Sequence, residues 1–335
     1  MKNKIIALAV MSALTVPAAG YAADKKKNDG TPVLYGKAHL SYGTLEQKTN
    51  GVTDYDNWQA RSHASRFGIK GKRDVSDSLA VTYKFEWQID YEESDDAGLD
   101  RRNMYLGLKG GFGEVRIGRH DTPLKMAQGK FDQFGDTDAD LKNAGDEDGE
   151  NRLDNVLLYL GETNGFKYQV MVAPGEDNAG ATADDGPADT ISLAAGYSKG
   201  PIHVMVAHDS YENGGNSAED SMTRVVGTYK FGSMQVGALI QSGVEDDEPA
   251  TSKEDWIGLS FSAKVGGSGK IKAQYIEVED SSANPLEGTL IALGYDHSFD
   301  KKTKGYVMYS NLEEEQSGAK TLEKSFLGVG LVYKF

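Results

Sequence analysis

The sequence contains no cysteine, and its 36 basic residues are outnumbered by 51 acidic ones. The lack of cysteine excludes disulfide bonds, thiolate metal sites and thiol nucleophiles. The formal net charge of −15 argues against a nucleic-acid partner, because binding to phosphates requires clustered lysine and arginine. Beyond the N-terminus no apolar run approaches 18 residues, and this excludes a bundle of membrane-spanning helices.

The N-terminus has the pattern of a secretory signal. Two lysines precede an apolar stretch from Ile5 to Val16 that is too short to span a bilayer as a helix, and small residues follow around Ala22. We predict a signal peptide over residues 1–22, cleaved from a single barrel domain over residues 23–335. An anchoring helix is the alternative.

Alternation with a period of two residues dominates the rest of the chain. In residues 79–91 every odd position is large and apolar or aromatic, whereas the even positions are small, polar or charged. This pattern predicts a β-strand, and its length exceeds the roughly five or six residues usual in soluble sheets but suits a strand that crosses a membrane. Residues 34–42 and 327–335 alternate in the same way, with aromatic residues at the ends of the apolar rows, as a membrane interface requires.

Alternation and turn residues together give sixteen predicted strands. They cover residues 33–45, 57–73, 77–92, 100–110, 113–121, 151–161, 166–174, 188–199, 201–211, 221–231, 233–244, 254–265, 269–279, 287–299, 303–312 and 322–335.

The connections alternate between tight turns and long, acidic, polar loops. The long loops cover residues 45–57, 93–100, 121–150, 175–187, 212–220, 244–252, 279–286 and 313–322. Strict alternation places the two kinds at opposite ends of an up-and-down barrel, and outer-membrane barrels have short periplasmic turns and longer outside loops. We therefore predict an all-β fold, a 16-stranded antiparallel transmembrane β-barrel.

The loop over residues 121–150 is the longest connection and is rich in aspartate and glutamate. A barrel of about sixteen strands encloses an aqueous channel, and only a loop of this length can fold inward from the rim to narrow it. Charged residues on the strands must face that channel, because a charge facing lipid at mid-bilayer costs about 2–4 kcal/mol. Acids on the loop that face bases on the wall would set up a transverse field in the passage.

Motifs for catalysis or metal binding are missing. The six histidines have no spacing typical of metal ligands, carboxylate pairs are too numerous to be informative, and no Gly-x-Ser-x-Gly motif occurs. We therefore predict that the protein is not an enzyme and has no metal or cofactor. A substrate-specific channel, an outer-membrane enzyme and a secreted all-β binding protein are the competing hypotheses.

Five fragments occur in a specific order along the chain: Leu34–Ala38, Ser65–Gly71, Tyr105–Gly110, Val115–Lys125 and Val332–Phe335. Together they resemble the trimeric general porins of Gram-negative outer membranes, and the resemblance covers nearly all of the mature chain. The resemblance implies that the third extracellular loop folds into the pore and that ions and small polar solutes pass passively. It also implies a homotrimer that contacts outer-membrane lipid and lipopolysaccharide, joined through the first, fourth, fifth and sixteenth strands with the 93–100 loop as a latch. The terminal Phe335 matches the family's signal for the barrel-insertion machinery.

The same resemblance assigns the residues of a pore constriction. The matching positions are Lys37, Arg66, Arg102 and Arg152 as the basic wall, with Glu86, Asp132 and Asp136 as the acids. The loop departs from the family's Pro-Glu-Phe-Gly-Gly to Asp-Gln-Phe-Gly-Asp, so Asp138 or Asp140 is an alternative pore-facing acid.

Net acidity and acidic outer loops favour cations, although the wall bases oppose them. We therefore expect an outer-membrane diffusion channel with a weak cation preference. Two acidic clusters, Glu245–Glu248 and Glu313–Glu315, are either simply solvated or bind divalent cations that bridge to lipopolysaccharide.

Overall fold

The computed structural model describes residues 28–91, 98–145, 149–175, 186–211, 221–247, 250–281 and 285–335. The predicted signal peptide, most of the predicted 93–100 latch and the side chains of Glu245–Glu248 lie outside the described residues. Within the described ranges, no helix is both long and apolar enough to cross a membrane.

The described residues form seventeen strands in one antiparallel sheet. Their bounds are β1 (Val33–Thr49), β2 (Val52–Ser62), β3 (Ser65–Asp74), β4 (Leu79–Ile89), β5 (Leu99–Gly110), β6 (Gly113–Asp121), β7 (Arg152–Thr163), β8 (Phe166–Ala173), β9 (Thr190–Lys199), β10 (Ile202–Tyr211), β11 (Ser221–Phe231), β12 (Met234–Asp247), β13 (Ala250–Val265), β14 (Gly269–Asp280), β15 (Leu286–Ser298), β16 (Thr303–Gln316) and β17 (Ala319–Lys334).

The sheet closes on itself because β1 pairs with β17 along almost its whole length. On its other edge β1 pairs first with β3 and then with β2. β2 and β3 therefore lie end to end beside β1 and together form a single strand of the barrel. The result is a closed 16-stranded antiparallel β-barrel, which confirms the predicted fold class.

The second strand was predicted to run unbroken over residues 57–73, and this is wrong at one point. His63 and Ala64 interrupt it, and Ala64 adopts a left-handed backbone conformation with φ of 47°. The backbone N–H of His63 and the hydroxyl of Ser65 both donate hydrogen bonds to the carbonyl of His39, at 2.9 and 3.1 Å. These hydrogen bonds hold the break at His63 and Ala64 against β1.

Several predicted long loops are instead extensions of the barrel hairpins. β1 and β2 continue to a turn at Asn50 and Gly51, and the pairings of β12 with β13 and of β16 with β17 are extended in the same way. Beyond the membrane both faces of a strand meet water, so hydrophobic alternation stops while backbone pairing continues. Alternation alone therefore ended these strands too early.

Alternate residues of the strands face outward, as the sequence predicts. Leu327, Val329 and Leu331 on β17 are each more than half exposed, whereas Phe326 on the same strand points inward and is 1 % exposed. The outward apolar rows form a surface suited to lipid, and the inward residues either pack against the loop or line the lumen.

The segment between β6 and β7 lies inside the barrel. It begins with a short helix, α1 (Pro123–Ala127), whose first turn is capped by the Thr122 hydroxyl. Phe131 and Phe134 in this segment are fully buried against the inner wall. Glycines provide the space for them, because a Cβ at Gly258 would lie 2.6 Å from the Phe131 ring. We call the described residues of this segment, 122–145 and 149–151, the inner loop.

Candidate functional site

The inner loop leaves a cavity of about 670 Å³ between itself and the barrel wall, which residues of β2, β3, β4, β5, β7 and β17 line. The described lining includes seven basic and six acidic side chains. The bases are Arg61, Arg66, Arg102, Lys125, Lys142, Arg152 and Lys324, and the acids are Asp90, Asp132, Asp136, Asp138, Asp140 and Glu150.

Asp136 joins the inner loop to the wall. Its Oδ2 lies 2.5 Å from Lys37 Nζ and 3.1 Å from Arg66 Nη2. Burial acts to raise the pKa of Asp136, but Arg66 and Lys37 outweigh it and hold the pKa well below its usual value. This carboxylate is therefore ionised at any physiological pH, and it keeps two wall bases close to the loop.

Arg61 makes a second contact between wall and loop that the sequence did not predict. Its Nη2 lies 3.1 Å from Asp138 Oδ1. Regular alternation along one unbroken strand would turn Arg61 away from Arg66, toward the outside of the barrel. The extra residue at the break changes the register from Ser41 opposite Arg61 to Lys37 opposite Arg66, so both arginines face the lumen. Only recognition of that break would have identified Arg61.

Arg102 lies on β5, where it is bound within the wall. Its Nε donates to Glu86 Oε1 at 3.1 Å and its Nη1 to Gln88 Oε1 at 2.8 Å. Glu86 also accepts hydrogen bonds from the Tyr35 hydroxyl at 2.8 Å and lies 3.1 Å from Lys84 Nζ. The resemblance placed Glu86 among the constriction acids, but the structure buries it in this network, away from the cavity lining. There its negative charge offsets the positive charges of Lys84 and Arg102.

Arg152 lies at the first position of β7 and has wall partners as well. Its Nη2 lies 2.7 Å from Asp121 Oδ1, and its Nε donates to Asn103 Oδ1 at 3.0 Å. The Asn103 side chain in turn donates to Asp121 Oδ2 at 2.7 Å. This closed set of bonds fixes the guanidinium at the edge of the cavity.

Asp132 and Asp140 organise the inner loop itself. Asp132 accepts backbone hydrogen bonds from Phe134 at 2.7 Å and Leu141 at 3.1 Å, and Asp140 accepts them from Asp136 and Lys142. Burial raises the pKa of both carboxyl groups, and the nearby Asp140 raises that of Asp132 further. Asp132 borders the cavity, but its oxygens hold the loop, whereas Asp136 and Asp138 reach the wall bases.

The far end of the inner loop is fastened to β11. Glu150 Oε1 lies 2.8 Å from Nη1 of Arg224, a side chain with no exposed surface. Arg224 also donates to the Gln241 side chain at 2.7 Å, and Lys125 Nζ donates to the Glu150 carbonyl at 2.5 Å. Burial raises the pKa of Glu150, against the influence of Arg224 and Lys125.

Three strand pairings around the cavity each contain one extra residue. The insertions occur between β1 and the β2–β3 strand, between β4 and β5 beside Glu86, and between β6 and β7 at Asn155, whose φ is 53°. Bulges of this kind re-aim side chains. The basic wall is thus built where the regular alternation of the barrel is interrupted.

Groups able to hold a metal ion do not occur in the part of the chain that the structure describes, where no cluster of three or more His, Asp or Glu has the required arrangement. The cavity instead presents opposed bases and carboxylates around a solvent-accessible space. Such an arrangement can orient and select ions and small polar molecules.

Comparison with known proteins agrees with this architecture. The family profile described as Gram-negative porin matches residues 7–317. Outer membrane porin protein 32 of Delftia acidovorans is 26% identical over 325 residues, which cover 93% of this chain and 89% of the relative.

Solved structures show the same fold. An anion-selective porin from Comamonas acidovorans superposes with a TM-score of 0.76 at 22% identity, covering 91% of this chain and all of the other. The trimer form of OmpT from Vibrio cholerae gives a TM-score of 0.69 at 22% identity, covering 92% of this chain and all of the other. With the family match over nearly the whole sequence, the chain belongs to the Gram-negative porins, the β-barrel channels of the outer membrane.

Proposed function

We propose that this porin is a non-enzymatic general diffusion channel whose narrowest passage lies between the inner loop and the basic wall. The observation that carries the proposal is the position of Asp136, on the loop, within 3.1 Å of both Lys37 and Arg66, on the wall. The loop therefore reaches across the lumen at that level. Arg102 and Arg152 border the passage beside it.

The cation preference expected from net charge has no support. Net charge counts the acids of the outer loops, whereas selectivity depends on the charges nearest the passing ion. Around the cavity the bases outnumber the acids, and Asp132, Asp140 and Glu150 are buried groups whose pKa values are raised. The related Comamonas protein is described as anion-selective. The function proposed for this chain is therefore passive transport of ions and small hydrophilic solutes with a preference for anions.

The native assembly is a homotrimer in this proposal. A neighbouring fold, OmpT, is described in a trimer form. The contact that the resemblance to trimeric porins implied corresponds to β1, β5, β6 and β17, whose outward faces expose Leu34, Leu106, Ile117 and Leu331. Chemical crosslinking in outer membranes checks this assembly. A covalent trimer is the expected product, and monomer alone would contradict the proposal.

We also propose that the signal peptide is cleaved, so that the mature chain begins after residue 22.

Reconstitution of the purified, folded protein into a planar lipid bilayer tests the channel function. The proposal expects stepwise increases in current, each step an open pore, with the conductance of a step rising in proportion to salt concentration. Folded protein that inserts but gives no steps would contradict it. A specific channel would instead discriminate sharply between solutes of equal size and charge.

A further inference from the structure

A second cavity of about 350 Å³ lies on the other side of the inner loop. It is enclosed by the loop at Gly129 and Lys130 and by the inner faces of β8 to β11. Lys130 comes from the loop, Lys167 from β8 and Lys230 from β11, so three separate segments each contribute one ammonium group. No feature of the constriction described above uses these lysines.

The charge around this cavity has one sign. Its described lining contains three lysines and His203 but no aspartate or glutamate. Among the described side chains no carboxylate lies within ion-pair distance of any of the three ammonium groups, whereas the wall bases Lys37, Arg61 and Arg66 each have an acidic partner. Three lysines that share one pocket repel each other unless an anion lies between them.

Neutral hydrogen-bonding groups complete the lining. Ser198 and Thr228 contribute hydroxyls, and the Oε1 of Gln169 is buried with no hydrogen-bond partner among the described residues. His203 joins the wall to the loop, because its Nδ1 lies 3.1 Å from Ser198 Oγ and its Nε2 lies 2.9 Å from the Ala127 carbonyl. The part of the inner loop that borders the pocket is therefore held in place by the barrel wall.

The pocket lies toward the short-turn end of the barrel. Gly200 and Pro201, in the turn between β9 and β10, form part of its lining, and Lys230 is one residue from the end of β11. Short turns face the periplasm in outer-membrane barrels. A solute that has passed the constriction would meet this cavity before it leaves the channel.

We infer that this pocket is a binding site for small solutes that carry a phosphate dianion. Lysine binds phosphate as a point charge. Three lysines from separate segments therefore bind a doubly charged phosphate group more strongly than they bind a singly charged chloride ion. The volume exceeds that of phosphate itself, so the hydroxyl and amide groups remain to contact an attached polyol. The inference rests on the proposed channel function and adds a ligand to it.

Isothermal titration of the mature protein, folded in detergent, with glycerol 3-phosphate tests this site. Saturable binding is expected, with glycerol as the uncharged control giving none and inorganic phosphate showing whether the polyol adds affinity. The triple variant Lys130→Gln, Lys167→Gln, Lys230→Gln should weaken binding about tenfold or more, since each exposed charge pair adds a modest share.

A matched variant removes the same total charge elsewhere at the short-turn end, at exposed positions that line neither cavity, by Lys72→Gln, Lys109→Gln, Lys264→Gln. It should keep the affinity within about twofold, because a distant exposed charge is screened by salt. Equal weakening in both variants, or no saturable binding to the unaltered protein, would overturn the site. The channel function is tested separately: bilayer steps without phosphate binding reject only this inference, and absent steps reject the channel.

Discussion

Arg61 and Arg66 both reach carboxylates of the inner loop, although five residues along a regular strand would turn them to opposite faces. The break at His63 and Ala64 makes this possible by adding one residue between them. The left-handed backbone of Ala64 is the local strain that accompanies the break.

Substitutions at Ala64 should therefore have opposite effects on stability. Ala64→Gly should raise the free energy of unfolding and Ala64→Val should lower it, each by about 1 kcal/mol, because glycine adopts a positive φ without strain and a β-branched residue does not. Urea unfolding in detergent, followed by loss of β-sheet circular dichroism, measures both. A valine variant as stable as the glycine variant would show that the break carries no strain.

Charge changes at the constriction should alter ion selectivity in a defined direction. Arg66→Gln should reduce the anion-to-cation permeability ratio and Asp136→Asn should increase it, because the aspartate offsets two bases. A unit charge about 4 Å from an ion contributes roughly 1 kcal/mol in water, which corresponds to a change of about two- to fivefold.

Arg101→Gln is the matched control for these charge changes. The Arg101 side chain is two-thirds exposed and lies outside the cavity lining, so the permeability ratio should remain within experimental error. Bi-ionic potentials measure all three variants. Equal shifts in the control and in Arg66→Gln would mean that selectivity follows total charge and not the constriction.

Packing of the inner loop should control the width of the passage. In Gly258→Val the added side chain meets the Phe131 ring, since even a Cβ would lie 2.6 Å from it. Phe131 must then leave its buried position, and the loop should lose its fixed place, so single-channel conductance should rise and fluctuate more. Gly267→Ala is the control, because a Cβ there meets nothing within 4 Å. Unchanged conductance in a folded Gly258→Val channel would contradict the anchoring of the loop by Phe131.

Acidification should strengthen the anion preference. The pKa values of Asp132, Asp140 and Glu150 are raised by burial, so these groups lose their charge at a higher pH than ordinary carboxyls, which titrate near about 4. Asp136 has a lowered pKa and remains charged. The cavity should thus become more positive as the pH falls from 7 toward about 4, where ordinary carboxyls titrate.

Reversal potentials recorded at these two pH values measure the effect. Glu150→Gln should reduce the response, because it removes one of the titrating groups. Glu313→Gln, in an outer hairpin and paired with Lys320, should leave the response intact. A ratio that stays constant or falls on acidification would refute the role of the buried acids.

Alternation in the sequence was sufficient to predict the barrel, because every strand must separate lipid from water by the same two-residue period. Strand β11 was predicted with its observed limits, residues 221–231. The outer hairpins were missed, since there the pattern vanishes while backbone pairing persists. The bulge beside Arg61 was missed because an added residue leaves no compositional signal.

Prediction of the candidate site was limited by the inner loop. Its length and acidity indicated a constriction, and the resemblance to porins supplied Lys37, Arg66 and Asp136, which the structure brings together. Residue type alone does not distinguish Asp136 from Asp132, four positions earlier. The difference lies in backbone geometry, because Asp132 accepts the N–H groups of Phe134 and Leu141.

Selectivity showed the risk of reasoning from net charge. The formal charge of −15 describes the whole chain, whereas the cavity lining has seven bases and six acids. Screening over about 8–10 Å removes the influence of distant exposed loops at physiological salt. The sign of the preference therefore depends on a few residues near the passage.

The reversal potential of the unaltered channel in a potassium chloride gradient tests the central claim most directly. Potassium and chloride have nearly equal mobility in water, so the sign of the potential reports the charge of the passage alone. The proposed constriction, with Asp136 facing Lys37, Arg66, Arg102 and Arg152, predicts a reversal potential of the sign set by chloride. A potential of the sign set by potassium would contradict it.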